Sequence, residues 1–299
     1  MLNRQRVLLA FLSAAQKARS GSLTRIQLTK FAFLFRQAVG SVTGLTYEFV
    51  PYKFGPFSFA LYRDMDALVA NGFLSPNAEQ STSLNLRGET KELARSEAEK
   101  LPKVAWPAIR EVQSQFGSLD NDTLIRLVYS EHPWFAMNSE RTDLLPSEVP
   151  VRDVAQTATY TVGYEGKCID GFLAHLLRKG IQRIIDVRRN PVSRKYGFAK
   201  STLTRLLAKV GIEYEHVPEL GIPSEERAHL SDSASYHALL ERYEHDFLPQ
   251  KVGCVARIRE LLHEKPSALL CMEADPSMCH RSRLAKRAAS DGRLELQHL

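Results

Sequence analysis

The second half of the chain alternates short apolar runs with amphipathic segments, a pattern typical of strands and helices that follow one another. Strands are predicted for five runs, at 159–164, 183–187, 213–217, 267–272 and 294–299. Helices are predicted at 169–180, 200–211, 233–248 and 254–265, with a last one from about Ser277 to Ala289. Parallel strands need crossover connections, so this alternation favours an α/β domain with a mostly parallel, open sheet and flanking helices.

The first half reads as mainly helical. Amphipathic helices are predicted near 4–18 and over 23–40, the second with Thr24 as its N-cap. A third helix is predicted within 59–74, and the weakly alternating, turn-rich stretch 73–89 predicts a β-hairpin. Three helices followed by a hairpin is the element order of a winged-helix domain.

A boundary is predicted between the two halves. Residues 140–157 carry two prolines and show little periodicity, which is typical of a linker. The expected organisation is a winged-helix-like binding domain at 1–139, the linker, and an α/β domain at 158–299. A chain of 299 residues is long enough for two domains of ordinary size.

Composition indicates a folded, water-soluble protein, with 44% hydrophobic and 25% charged residues. No apolar run reaches the roughly 18 to 20 residues of a membrane span. The N-terminal stretch fits an amphipathic helix better than a signal peptide, so the protein is expected to be cytoplasmic and to have no membrane contact. The four cysteines, at 168, 254, 271 and 279, are then expected to be reduced.

The net charge of +6 is unevenly distributed. Residues 1–63 hold nine Lys/Arg and one acidic residue, and residues 187–212 hold seven Lys/Arg and no acidic residue. Such basic surfaces are either solvated helix faces or contacts for an anionic partner, nucleic acid first. Under the second interpretation, the contacts expected in the first half are Arg25, Lys30, Arg36 and Lys53.

Polar residues follow the predicted strands of the second half, where ligands bind in open α/β sheets. We expect Asp186 and Glu273 to be a catalytic acid/base pair, with Arg188, Arg194 and Arg281 holding phosphate. The alternative is that Asp186 and Arg188 form an ion pair that only supports the sheet. The further residues expected to bind the ligand are Tyr164, Glu165, His216, Cys279 and His280. Tyr164 and His216 would stack on or orient a base or sugar, or else pack in the core.

The segment from Cys271 to Arg281 admits three interpretations. A helix starting near Ser277 would direct its first N–H groups at an anion and lower the pKa of Cys279, making it a nucleophile. Alternatively, Cys279 is a half-buried structural residue. The third interpretation is zinc bound by Cys271, Cys279 and His280 with Glu273, but no Cys-x2-Cys pair exists and neighbours on a helix point in different directions. We therefore expect no metal and no cofactor.

Two resemblances to known families go beyond these patterns. "LTKFAFLFRQ", "YEFVPYKFGPFSFALYRDMDALVANGFL" and "VYSEHPWFAMNS" resemble the winged-helix-like YwgA-type and SocA-type (Panacea) phage-associated and antitoxin proteins. That resemblance implies binding to nucleic acid or protein, not catalysis. "TVGYEG", "GIQRIIDVRRNPVSRKYGF", "GIEYEHVPELG" and "LLCMEADPSMCHR" with a terminal "QHL" resemble the domain-of-unknown-function family 488. Glu165 departs from the Ser or His that is usual there.

The sequence thus predicts a protein associated with nucleic acid or nucleotides, and a hydrolase that cleaves a phosphate-bearing ligand in an Arg/carboxylate cleft. The first domain would bind nucleic acid or a protein partner, and its resemblance suggests a role in phage defence. The alternative is a non-catalytic DNA-binding regulator or antitoxin-like adaptor whose second domain senses an anionic ligand.

Overall fold

A computed structural model shows two compact units, Met1–Val151 and Arg152–Leu299. The residues that the structure describes are 1–17, 22–76, 83–223, 225–227, 232–290 and 292–299.

The first unit is mainly helical. Its helices are α1 (Asn3–Lys17), α2 (Arg25–Val39), α3 (Phe59–Ala70), α4 (Lys91–Glu99), α5 (Ala105–Phe116) and α6 (Asn121–Glu131). Its strands are β1 (Leu23–Thr24), β2 (Val50–Tyr52), β3 (Gly55–Phe57), β4 (Leu74–Pro76) and β5 (Ser83–Leu86). β1, β5 and β4 form a small antiparallel sheet in that order, and β2 pairs with β3.

The helix boundaries of this unit follow from local signals. Thr24 caps α2 as predicted: its hydroxyl accepts a hydrogen bond from the Gln27 amide, and the Gln27 side chain accepts one from the Thr24 amide. The predicted hairpin after α3 is present as β4 and β5, while its connection, residues 77–82, lies outside the described residues.

The second unit alternates strands and helices. Its strands are β6 (Thr159–Gly163), β7 (Arg183–Asp186), β8 (Glu213–His216), β9 (Ser267–Cys271) and β10 (Leu296–His298). Its helices are α7 (Ile169–Arg178), α8 (Lys200–Lys209), α9 (Ser233–Arg242), α10 (Val252–Glu264) and α11 (His280–Ala288). All five strands predicted from the sequence are present, each within the predicted run.

These strands form a parallel sheet of five among the described residues, in the order β10-β6-β9-β7-β8. Every residue of β6, β7 and β9 is buried, as expected for strands with helices on both faces. The α/β architecture with a parallel sheet is therefore confirmed. β9 lies at the centre, between β6 and β7.

The segment predicted as a linker, 140–157, is divided between the units. Leu144 is buried in a small cluster of the first unit with Ile125 and Tyr129. Arg152 belongs to the second unit, where its guanidinium donates to the Ile181 carbonyl at 2.9 Å. Over the described part of the chain, the helices fall short of the length and apolar character that crossing a membrane requires.

Candidate functional site

Four strands of the second unit end at one edge of the sheet. Gly163 at the end of β6 lies opposite Cys271 of β9, and Leu270 of β9 lies opposite Asp186 of β7. Asp186 is in turn opposite His216 of β8. The registers thus bring together the strand ends that were expected to converge.

Asp186 and Arg188 form a buried ion pair at this edge. Arg188 Nε and Nη2 donate to the two carboxylate oxygens of Asp186 at 2.8 and 2.6 Å, and the Tyr214 hydroxyl donates to Asp186 at 2.7 Å. Arg188 Nη1 donates to the Tyr164 hydroxyl and the Phe198 carbonyl. Asp186, expected to be a catalytic acid/base, is 0% exposed. Arg188, expected to hold phosphate, has its guanidinium bonded to Asp186, Tyr164 and Phe198.

The charges of this pair and its burial shift the pKa values of Arg188 and Tyr214. Burial opposes the charge on Arg188, but the hydrogen bonds and charge of Asp186 outweigh it and raise the pKa of the guanidinium. Burial and the charge of Asp186 raise the pKa of Tyr214, so its hydroxyl stays protonated and donates. The ion pair that supports the sheet, the alternative interpretation of these residues, is what the structure contains.

Tyr164 and His216 are also engaged within the unit. The Tyr164 ring stacks on Phe198 with centroids 4.3 Å apart and planes 12° apart, and it is buried. His216 Nε2 lies 3.0 Å from the Arg188 carbonyl, which can only accept, so Nε2 carries the proton. Its Nδ1 accepts from the Lys200 ammonium at 2.9 Å. For both residues the structure favours packing and support of the edge over stacking on a ligand.

A second polar group of residues lies where β9 ends and α11 begins, and we call it the thiol–imidazole cluster: Cys271, Cys279, His280 and Glu273. His280 Nδ1 lies 3.6 Å from Cys271 Sγ and 4.0 Å from Cys279 Sγ. The Cys279 thiol donates to Glu273 Oε2 at 3.0 Å. Both cysteines and the histidine are at most 2% exposed. The cluster is therefore a buried polar site between the sheet and a helix.

The backbone of Cys279 makes this convergence possible. Pro276–Met278 form a single 3₁₀ turn, Cys279 is extended at φ −140° and ψ 135°, and the α-helix begins only at His280. The expectation of one helix from Ser277, with the side chains of 279 and 280 diverging, is therefore wrong. An extended residue before the helix lets Cys279 and His280 direct their side chains to the same place.

The same turn removes the predicted anion site at the helix start. The Asp275 carboxylate accepts from the Ser277 amide at 2.8 Å, so a side chain of the protein itself caps the turn. Cys279 is 0% exposed, and burial, followed by the hydrogen bond and charge of Cys271, raises the pKa of its thiol. Cys279 is therefore not the activated nucleophile that the sequence allowed.

Proton affinities differ within the cluster. The neighbouring Cys279 and His280 hold the pKa of the Cys271 thiol well below its ordinary value. Burial, followed by the charge of Cys271, raises the pKa of the Glu273 carboxyl.

Arg281 fixes the loop after β9. It is 1% exposed and donates to the backbone carbonyls of Glu273 and Ala274 at 2.6 and 3.2 Å. Glu165 accepts from the Ala274 amide at 2.9 Å. A Cβ on Gly163 would lie 1.9 Å from the Glu273 carbonyl oxygen, so only glycine admits this approach. Arg281, expected to hold phosphate, is thus buried and bonded to this loop, while Glu165, expected to bind the ligand, is exposed and also contacts the loop.

A small cleft opens beside these residues. It has a volume of about 120 Å³ and is lined by Tyr164, Arg188, Arg189, Asn190, Val192, Ile222, Cys271 and Met272. Arg189, Arg194 and Lys195 are exposed on the segment that leads from β7 to α8. Arg194, an expected phosphate contact, does not line the cleft but remains at the surface. Cationic groups that can meet an anion at this edge are therefore carried by this segment.

The basic candidates of the first unit are paired internally. Arg25 pairs with Asp66 at 2.9 Å, Arg36 with Glu48 at 2.7 Å and Lys53 with Glu140 at 2.7 Å.

Lys30 is 1% exposed, and its ammonium donates to the Phe54 and Pro56 carbonyls. It cannot reach a phosphate from there, so the expected nucleic-acid contact by Lys30 is wrong. Gly55, with φ +89°, allows the β2–β3 turn to close over the ammonium, since its missing Cβ would lie 3.1 Å from Lys30 Nζ.

At the sheet edge of the second unit, several residues that support Asp186 and Arg188 could not be recognised from the sequence. Phe198 and Tyr214 complete the surroundings of Arg188 and Asp186, but aromatic residues in amphipathic segments give no signal beyond core packing. Gly163 had a usable signal, because a glycine inside a strand marks a close approach of another backbone.

Comparison with known proteins agrees with the second of the two resemblances. No curated protein matches this chain. Residues 168–288 match the model of a family described as "Domain of unknown function DUF488". The matched segment lies wholly within the second unit and contains Asp186, Arg188 and the thiol–imidazole cluster. The C-terminal half of the chain is thus similar to the DUF488 family in the region that holds this site.

Proposed function

We propose that the second unit binds a phosphate-bearing ligand, a nucleotide or a nucleic acid end, at the carboxyl edge of its sheet and cleaves it by hydrolysis. The observation that carries the proposal is the exposed basic segment beyond β7, with Arg189, Arg194 and Lys195, beside a cleft at the strand ends. Cleft and cations together are what an anionic ligand requires at this position of an α/β sheet.

In this proposal Glu273 is the residue that transfers protons. Of the two carboxylates expected to do so, Asp186 is enclosed by Arg188 and Tyr214. Glu273 is half-buried after the end of the central strand, where its Oε1 accepts a long hydrogen bond of 3.4 Å from Tyr236 and its Oε2 accepts one from Cys279. A carboxylate so placed would take a proton from the attacking water and return it to the leaving oxygen.

The binding experiment uses the full chain and fluorescent oligonucleotides over a range of salt concentrations. Replacing Arg194 and Lys195 together with alanine should weaken binding and reduce the slope of log affinity against log salt by roughly 1.4 for a single strand. The matched control is the double replacement of Lys103 and Arg110, two exposed cations of the first unit, which removes the same charge. Equal loss in both double variants would contradict a specific role for the segment.

The hydrolysis experiment incubates wild type and Glu273→Gln with mixed nucleotides and oligonucleotides and separates the products. Wild type should form a product that the variant forms at least about 100-fold more slowly, while both bind the ligand equally. The same product at the same rate from both proteins would remove Glu273 from the chemistry.

The second candidate function is a non-catalytic adaptor that senses an anionic ligand. The ion pair of Asp186 and Arg188 favours this function, because a carboxylate bound to an arginine of the protein itself does not take part in proton transfer. Salt-dependent binding by wild type with no product at all would select this function over hydrolysis.

For the first unit we propose a winged-helix-like binding domain that engages nucleic acid or a protein partner. The hairpin of β4 and β5 directly after α3 supports that assignment. The internal pairing of Arg25, Arg36 and Lys53 makes a protein partner the stronger form of this proposal.

A further inference from the structure

Three donor atoms of metal-binding type converge in the thiol–imidazole cluster. Within the described part of the chain, the Sγ atoms of Cys271 and Cys279 and a ring nitrogen of His280 all lie within 4.8 Å of one another. The three residues come from two elements, the end of β9 and the start of α11. We propose that Cys271, Cys279 and His280 bind one zinc ion.

The distances fit a tetrahedral site. Zinc bonds of about 2.3 Å to sulfur and about 2.0 to 2.1 Å to nitrogen place two such ligands roughly 3.5 Å apart at tetrahedral angles. The distance from Cys271 Sγ to His280 Nδ1 is 3.6 Å, and that from Cys279 Sγ to the same nitrogen is 4.0 Å. Shifts of a few tenths of an ångström would bring each sulfur–nitrogen distance to that value, and the two sulfurs lie within 4.8 Å of each other.

His280 already has the tautomer and the support of a metal ligand. Its Nε2 lies 3.2 Å from the Val187 carbonyl oxygen, which can only accept, so Nε2 carries the proton. When the ring is neutral, its lone pair is then on Nδ1, the atom that faces the two sulfurs. A backbone carbonyl that holds the far nitrogen is a frequent partner of zinc-bound histidine, because it fixes the orientation of the ring.

The ligand types select the metal. Thiolate and imidazole favour zinc, whereas magnesium and calcium prefer oxygen ligands. Two thiolates also balance the charge of a divalent ion, which a site that is 0 to 2% exposed requires. Glu273 Oε2 contacts the sulfur of Cys279 but lies outside the set of mutually close donors, so the proposal assigns it no metal bond.

The alternative is a set of buried thiols and a histidine that bond only to one another. That arrangement predicts a metal-free chain whose properties do not respond to zinc or to a chelator. The zinc site goes beyond the proposed function, because it can be occupied whether or not the cleft catalyses hydrolysis.

The test is the metal content of the purified full chain, measured by plasma mass spectrometry. Wild type should carry one zinc per chain. Cys271→Ser, Cys279→Ser and His280→Gln should each lower zinc affinity by more than the roughly 10- to 100-fold that loss of an outer partner costs. Cys168→Ser and Cys254→Ser are the matched controls, since these thiols lie outside the cluster and their loss should leave the zinc content unchanged.

A second measurement does not depend on whether the variants fold. Wild type loaded with Co²⁺ in place of zinc should show a thiolate-to-cobalt charge-transfer band and the visible bands of tetrahedral cobalt. A wild-type chain without zinc and without that band overturns the proposal, and so does zinc loss in either control variant. A wild-type chain that hydrolyses the ligand but binds neither zinc nor Co²⁺ would defeat only this inference, and a zinc-bound chain without hydrolysis would defeat only the proposed function.

Discussion

Lys30 of the first unit and Arg188 of the second are both buried basic residues, and different partners hold them. Arg188 at the end of β7 faces the Asp186 carboxylate, whereas the Lys30 ammonium of α2 faces backbone carbonyls of the β2–β3 turn. The carboxylate outweighs burial and raises the pKa of Arg188. Burial without a carboxylate lowers the pKa of Lys30 to about 7. Both were expected to contact phosphate, and both instead support their own unit.

The difference shows what a buried cation needs. A carboxylate supplies a full opposite charge, so Arg188 keeps its proton and the pair acts as a fixed crosslink. Carbonyl dipoles supply hydrogen bonds but less compensation, so the charge on Lys30 remains costly. Removing the Asp186 carboxylate should therefore lower the stability of the unit that contains Arg188 most. Changing the pH should alter the charge of Lys30 but not that of Arg188.

The largest effect is expected from Asp186→Asn. The variant keeps the shape of the side chain but leaves Arg188 as a buried charge without its counter-charge, which costs about 3 to 5 kcal/mol. Denaturant unfolding of the full chain followed by far-ultraviolet circular dichroism measures the loss. The control is Asp153→Asn, which neutralises an exposed aspartate of the same unit and should change stability by less than about 0.5 kcal/mol. An equal loss of unfolding free energy in Asp186→Asn and Asp153→Asn would show that the buried carboxylate does not stabilise Arg188.

The second effect is a pH dependence at Lys30, spread over several pH units. The pKa is 10.5 ordinarily and about 7 in the folded unit, so between these values the unfolded state binds more protons. Stability should therefore rise with pH from about 7 to about 10.5, by up to roughly 1.4 kcal/mol per pH unit, and show no slope from Lys30 below that window. Both tryptophans, 106 and 134, belong to the first unit, so tryptophan fluorescence during unfolding reports on it.

Lys30→Met isolates this contribution, because methionine fills similar space and does not titrate. The variant should lose the rise in stability above pH 7, while Lys103→Met, at an exposed lysine of the same unit, should keep it. A slope that survives in Lys30→Met would assign the pH dependence to another group.

The smallest effect is expected from Arg189→Ala, the neighbour of Arg188. Arg189 is exposed, and its hydrogen bond to the Pro218 carbonyl is long at 3.4 Å. Unfolding in denaturant should show a loss below about 0.5 kcal/mol. If Arg189→Ala lost as much unfolding free energy as Asp186→Asn, the exposed Arg189 would matter as much to stability as the buried Arg188.

Most of the second unit was predictable because its signals are local. Apolar runs gave all five strands, and the parallel pattern gave the shared edge. Asp186 and Arg188, two residues apart along an extended segment, point to the same side, so the sequence already allowed their ion pair. The sequence alone did not decide whether Asp186 is a catalytic residue or part of a structural ion pair. The residues that enclose the pair come from distant parts of the chain: Tyr164, Phe198 and Tyr214.

The thiol–imidazole cluster was the least predictable part. A periodic pattern from Ser277 to Ala289 indicates one helix, and no pattern specifies a single extended residue between a 3₁₀ turn and that helix. Lys30 was misjudged for a related reason. Its acceptors are backbone oxygens of a turn, and backbone oxygens leave no trace in residue type.

The central place of β9 sets an order of events during synthesis. β6 and β7 do not pair with each other and are joined only by β9, which begins at Ser267. At roughly 5 to 20 residues per second, the ribosome needs on the order of 6 to 23 s after Val151 to reach that strand. The first unit can complete its core during this interval, while β6 and the edge of β7 that does not face β8 lack their partner strand. Chaperones that recognise nascent chains would meet the second unit in that interval.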